Sequence, residues 1–141
     1  MDKNNRAYQI SLQSREYVRS HDRNAWLGMF AEDGIIEDPI GKSDLDPEGK
    51  GWNTAAAREA FWDRKIANST IDIDIRESFT AAGNECANVV RLTIELDFDG
   101  KRYRQIVDGV FTYRVDTHGK LKALRGYWEY ADGLATLQQI G

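Results

Sequence analysis

From residue 70 onward apolar side chains recur at every second position, and this alternation confines the chain to folds built on a half-buried sheet. "TIDIDIRESFT" (70–80) sets Ile71, Ile73 and Ile75 against Asp72, Asp74 and Arg76, so one face is apolar and the other charged. "NVVRLTIELDF" (88–98) repeats the pattern, with Val90, Leu92, Ile94, Leu96 and Phe98 opposite Arg91, Thr93, Glu95 and Asp97. Asp99-Gly100 follows, the dipeptide best suited to a two-residue hairpin whose central residues both need positive φ. Beyond it Tyr103, Gln105, Val107, Gly109, Phe111, Tyr113 and Val115 share one face and Asp108 takes the other. A turn at "DTHG" (116–119), with His118 expected to be exposed, leads into "KLKALRGYWEY". Such a meander has one face to cover, and a second layer must cover it.

The first third of the chain supplies that layer at helical spacing. Ile10, Ser14, Tyr17, Val18 and His21 fall on one face, which predicts a helix over 6–20. Asp22 stands before Trp26, Leu27, Met29 and Phe30 as the N-cap of a second helix over 23–31, ended by "EDG" at 32–34. Ile35 to Glu37 form a short extended piece, and Pro39 disfavours helical backbone at Asp38. After a Gly-, Asp- and Lys-rich loop over 41–51, Asn53 or Thr54 caps a third helix whose stripe is Ala57, Ala60, Phe61 and Ile66. The expected class is α+β: three N-terminal helices on one face of a curved, mostly antiparallel sheet, enclosing an apolar pocket.

Composition narrows what such a pocket serves. The 141 residues fit a single domain over 1–141, since domains commonly run about 100–150 residues. The net charge of −4 is spread along the chain, which argues against nucleic acid or an anionic membrane as partner. No apolar run approaches the roughly 20 residues that span a bilayer. One cysteine, Cys86, and two scattered histidines give neither a disulfide nor metal-ligand spacing, and no phosphate loop or nucleophile elbow is present. No cofactor and no metal are expected, and a reducing, cytoplasmic setting is the simplest fit.

Residues 30–41, "FAEDGIIEDPIG", carry two adjacent acids before a proline. Neighbouring strand side chains face opposite ways, so one of Glu37 and Asp38 must point inward. Together with "YV" at 17–18, "AREAFW" at 57–62, the Asp99-Gly100 turn and "VFTY...GKL...RGYW" toward the end, this stretch resembles the Δ5-3-ketosteroid isomerase branch of the NTF2-like (SnoaL-like) superfamily. The resemblance runs from about residue 8 to 130. It implies a cone-shaped, commonly dimeric fold with a deep pocket for a steroid or similar small apolar molecule, and hence a homodimer.

In that branch an Asp moves a proton beside a ketone while a Tyr and a protonated Asp hold the enolate oxygen, a trio that is itself a standard example of tuned acidity. By position the base falls on Asp38, with Glu37 toward water. The Tyr falls on Tyr17 if the following turn is about three residues shorter, and on Ser14 without that gap. The second acid falls on Gly109, with Asp108 on the opposite face. Pocket positions carried over in kind are Trp62, Leu92, Ile94, Leu96, Phe111, Leu124 and Trp128, while His21 reads as structural. Two functions follow from the resemblance: a cofactor-free steroid Δ-isomerase using Asp38 and Tyr17, or a non-catalytic binding protein with the same pocket. The Asp-Arg-Asp set of epoxide hydrolases of this superfamily has no match here.

Overall fold

The computed structural model describes residues 1–141. In chain order the elements are α1 (Arg6–Ser20), α2 (Arg23–Leu27), β1 (Phe30–Glu37), α3 (Ala55–Phe61) continued by a π-helical turn (Trp62–Ile66), β2 (Ser69–Ala81), β3 (Glu85–Phe98), β4 (Lys101–Val115), β5 (Leu121–Tyr127), α4 (Tyr130–Ala135) and β6 (Gln138–Gln139). The sheet runs β1-β5-β4-β3-β2, with β1 parallel to β5 and the other pairs antiparallel, while β6 adds to β4. This is the α+β NTF2-like cone, with helices over one face of the curved sheet. No helix is long and apolar enough to cross a membrane.

The β2–β3–β4–β5 meander follows the alternation. The β3–β4 hairpin turns at Asp99 and Gly100, whose φ of 53° and 74° are the two positive values such a turn demands. α1 starts where the Asn5 side chain accepts from Tyr8 N at 3.1 Å, and the same amide donates to Glu85 O at 3.2 Å, tying the helix to the β2–β3 hairpin. Its buried stripe is Ala7, Ile10, Ser11, Ser14 and Val18, so Tyr17 and His21 lie off its centre. His21 ends the helix with φ 56°, and its ring nitrogen sits 2.8 Å from Ser69 O.

α2 is shorter than expected. Asp22 caps it, but Gly28 closes it and the chain is extended from Phe30, because Phe30 already pairs with Leu121 of β5. A register shift between Phe30 and Ile35 follows, where a Cβ on Gly34 would come within 2.6 Å of Leu121 O. Buried Arg58 donates to Glu32 O and Gly34 O at 3.1 and 2.8 Å, satisfying carbonyls that the irregular strand leaves unpaired. Thr54, not Asn53, caps α3.

The π-helical turn inserts an extra residue into the third helix, closed by Ala67 N donating to Trp62 O at 2.9 Å. The buried stripe is Arg58, Phe61, Trp62 and Ile66, spaced i, i+3, i+4, i+8, instead of one through Ala57 and Ala60. Trp26 is the centre of the core, 5.0 Å from Phe30, 6.0 Å from Phe61 and 5.3 Å from Trp62 between ring centroids.

Candidate functional site

Between the helices and the concave face of the sheet lies a cavity of about 810 Å³. Ile71, Ile73 and Ile75 of β2 and Val90, Leu92, Ile94 and Leu96 of β3 form its main wall. These are the positions that alternation turns to one face.

Asp38 reaches the cavity from the end of β1, where pairing of Ile36 with Leu124 and Glu37 with Arg125 fixes which way each side chain turns. Glu37 goes the other way and accepts from Arg125 Nε at 2.9 Å. Asp38 Oδ1 accepts from Trp128 Nε1 at 2.7 Å, and the Asp38–Pro39 peptide is cis. Gly126 makes the room, since a Cβ there would stand 2.8 Å from the Phe111 ring and 3.0 Å from Asp38 Oδ1. Lys65 Nζ donates to the main-chain oxygen of Asp38 at 3.3 Å and lies 5.5 Å from the centre of the Trp128 ring.

The inner end is polar but uncharged. Ser14 Oγ accepts from Trp26 Nε1 at 3.0 Å, and Asn88 donates to Ser11 Oγ at 3.0 Å while accepting from Ser78 at 2.7 Å. Tyr113 stands beside Ser14 in this group. Burial pushes its phenol well above the ordinary range, the negative charge of Asp38 adds to the shift, and the Ser14 hydroxyl partly opposes it. The group is a neutral hydrogen-bond donor throughout the physiological range. No buried side-chain polar atom lacks a partner.

Of the positions suggested by sequence, Asp38, Ser14, Leu92, Ile94, Leu96, Phe111, Leu124 and Trp128 line the cavity. Tyr17 and Trp62 do not. Tyr17 lies at the edge of the α1 stripe and packs partly buried against the core, whereas Trp62, 2% exposed, follows Arg58 by four residues on the buried face of the helix and packs into the tryptophan–phenylalanine cluster. Asp108 stays on the outer face in a bidentate pair with Arg91 at 2.7 and 2.8 Å, which lowers its carboxyl below the usual range. Gly109 does face inward, but a Cβ would meet Tyr127 O at 2.6 Å and the Trp128 side chain at 3.1 Å, leaving no space for an acid.

Sequence reasoning passed over Tyr113, although alternation already put it on the face of Phe111. It also passed over the C-terminal cover. Tyr130 stacks on Trp128 at 6.2 Å and its hydroxyl reaches Asp44 Oδ2 of the 41–51 loop at 3.4 Å, so the loop and α4 frame the mouth. Leu134 and Leu137 complete that side.

Known proteins share this frame. A model of the SnoaL-like domain matches residues 13–124, most of the chain. The chain belongs to the SnoaL-like domain family. Its SnoaL-like region contains Ser14, Asp38, Lys65, Phe111 and Tyr113, whereas Trp128 and the α4 cover lie beyond the matched residues.

RV0760c from Mycobacterium tuberculosis is 35% identical, with TM-score 0.83, covering 99% of this chain and 100% of that one. The Δ5-3-ketosteroid isomerase from Mycobacterium sp. is 32% identical, with TM-score 0.84, covering 96% and 99%. A computationally designed 17-OHP binder is 34% identical, with TM-score 0.85, covering 96% and 99%. Together they put this SnoaL-like chain in the ketosteroid isomerase branch of the NTF2-like superfamily. No curated protein matches at a significant level. No group of three or more His, Cys, Asp or Glu side chains is placed to hold a metal ion.

Proposed function

We propose that the protein binds a steroid or a similarly rigid apolar ketone and moves a proton within it, with Asp38 as base and Tyr113 as the donor to the ketone oxygen. The observation that carries this reading is a carboxylate and an un-ionised phenol lining one apolar cavity of about 810 Å³. Pockets for ligands of this size commonly run about 300–1,000 Å³.

With a β,γ-unsaturated ketone bound, the Asp38 carboxylate takes the proton from the carbon between the carbonyl and the double bond. The electron pair moves onto the oxygen, where the Tyr113 hydroxyl stabilises the dienolate. The protonated Asp38 then returns the proton two carbons further along, giving the conjugated ketone and restoring the base. Trp128 holds Asp38 in place for both transfers. Tyr113 takes the role that Tyr17 has by resemblance, because its side chain lines the cavity and that of Tyr17 does not.

Steroid binding among relatives supports the ligand class. RV0760c is known in complex with estradiol-17beta-hemisuccinate. A second reading, binding without turnover, is favoured by Gly109, where the second acid of the isomerases has no room.

Incubation with a Δ5-3-ketosteroid, followed by the absorbance of the conjugated product, tests the proposal. Conversion by the wild type, slowed by about 10²-fold or more in Asp38→Asn, is expected. Tight binding without conversion replaces isomerisation by the binding reading, and absence of binding removes both.

A further inference from the structure

The cavity is longer than a ring system alone requires, and two adjacent cations on one side of it stand outside any ion pair. Its β3 wall runs from Asn88 at the inner end to Leu96 near the mouth, roughly 27 Å of strand at about 3.4 Å per residue. Exposed Phe98 and Leu134 extend the apolar lining past that point. A four-ring nucleus seated against Tyr113 leaves the outer part of this channel to a side chain.

Arg64 and Lys65, adjacent on the π-helical turn, are the cations that line the channel, and neither takes part in an ion pair. Lys65 is anchored by the Asp38 main-chain oxygen and lies 5.5 and 5.8 Å from the Trp128 and Phe61 ring centres, so an ammonium with three donors has two to spare. The Arg64 guanidinium lies 6.0 Å from the Trp52 ring. The acids at the mouth are placed differently. Asp97 is paired with Arg102 at 3.2 Å, while Asp44, in no ion pair, accepts from Tyr130 at 3.4 Å on the side of the loop and α4. An anion entering the mouth therefore finds free donors on the Arg64–Lys65 side.

We propose that the ligand is a rigid apolar ketone bearing an acidic side chain, with its ring ketone at Tyr113 and its anion held at the mouth by Arg64 and Lys65. This rests on the cavity being a site for a steroid-like ketone and adds the substrate class: an acid with a long apolar body rather than a neutral steroid.

The test compares 3-oxo-4-cholen-24-oic acid with its methyl ester, which share a nucleus and side chain and differ in charge. Binding is followed by tryptophan fluorescence, since Trp128 lines the cavity. The acid is expected to bind about ten-fold more tightly than the ester at low ionic strength, with the preference shrinking as salt is raised. In the double variant R64Q/K65Q the acid-to-ester ratio should fall to about one. Equal binding of acid and ester by the wild type overturns this inference and leaves the steroid-like reading standing. A preference that survives R64Q/K65Q overturns it as well. If neither compound binds, both fall. Should the double variant not fold, the wild-type ratio and its salt dependence decide.

Discussion

At the inner end of the cavity Ser11, Ser14 and Asn88 are buried and hydrogen bonded to other protein groups, whereas at the mouth Arg64, Asp44 and Phe98 stand against solvent. The inner groups are neutral and locked to one another, so their positions exist before any ligand arrives. The mouth is charged and apolar by turns, and its side chains lose freedom only when something fills the channel. A substitution inside therefore disturbs stability and the shape of the cavity together, while one at the mouth leaves the core intact. Asp38 lies between the two regimes, half-buried, with its carboxylate held by Trp128 and its main-chain oxygen by Lys65.

Asp38→Asn is the sharpest cut, because it keeps the size of the group and removes its basicity. Turnover of a Δ5-3-ketosteroid should fall by about 10²- to 10⁴-fold with ligand affinity little changed, as read by steady-state rates beside equilibrium titration. Next in size, Tyr113→Phe should lower kcat by about 10²- to 10³-fold while Tyr17→Phe leaves it unchanged. The reverse order would return the donor role to α1. Gly109→Asp should not install a second acid. With its Cβ 2.6 Å from Tyr127 O, it should cost about 1–3 kcal/mol in denaturant unfolding and add no activity. Asn88→Ala, which takes the acceptor from the Ser78 hydroxyl and the buried Cys86 thiol and a donor from Ser11, should cost a similar 1–3 kcal/mol or so.

The smallest effect is in alkaline solution. The Tyr113 phenol is raised above its ordinary value of 10.0 in the folded protein, so above about pH 10 the unfolded chain releases that proton while the folded chain keeps it. Stability from this group is complete below pH 10 and declines as the pH rises beyond it. Tyr113→Phe should flatten that decline in a series of melts, and in the wild type one tyrosine of six should escape spectroscopic ionisation until unfolding.

Much of the cavity wall was legible in the sequence. Alternation in 70–80 and 88–98 identified the inward isoleucines and Leu92, Ile94 and Leu96, and the acid-proline step marked Asp38. The phenol lining the cavity was less so. Helical spacing selects a broad face, and Tyr17 sits three residues from Ser14 at the edge of that face, where a difference of one turn decides between cavity and periphery. Trp62 shares the helical face of Arg58 and Phe61, and the position of Trp26 across from it, fixed by α1 and α2, turned that face into the aromatic core instead of the cavity. The cover formed by Tyr130, Leu134 and Leu137 has no strong periodicity. Its position depends on Gly133, where a Cβ would come 2.8 Å from the Trp128 ring.

The sequence by itself determined the strands, the Asp99-Gly100 turn and the presence of an inward carboxylate before Pro39. Each of these depends on neighbours one to four residues apart, which is the range over which pleat, helix period and turn sterics act. Only the tertiary structure decided which phenol lines the cavity, why Gly109 admits no acid and what frames the mouth. Those outcomes follow from β1 lying parallel to β5 and from β5 leaving β4 beside Gly109, pairings between residues far apart in the chain that no local pattern records.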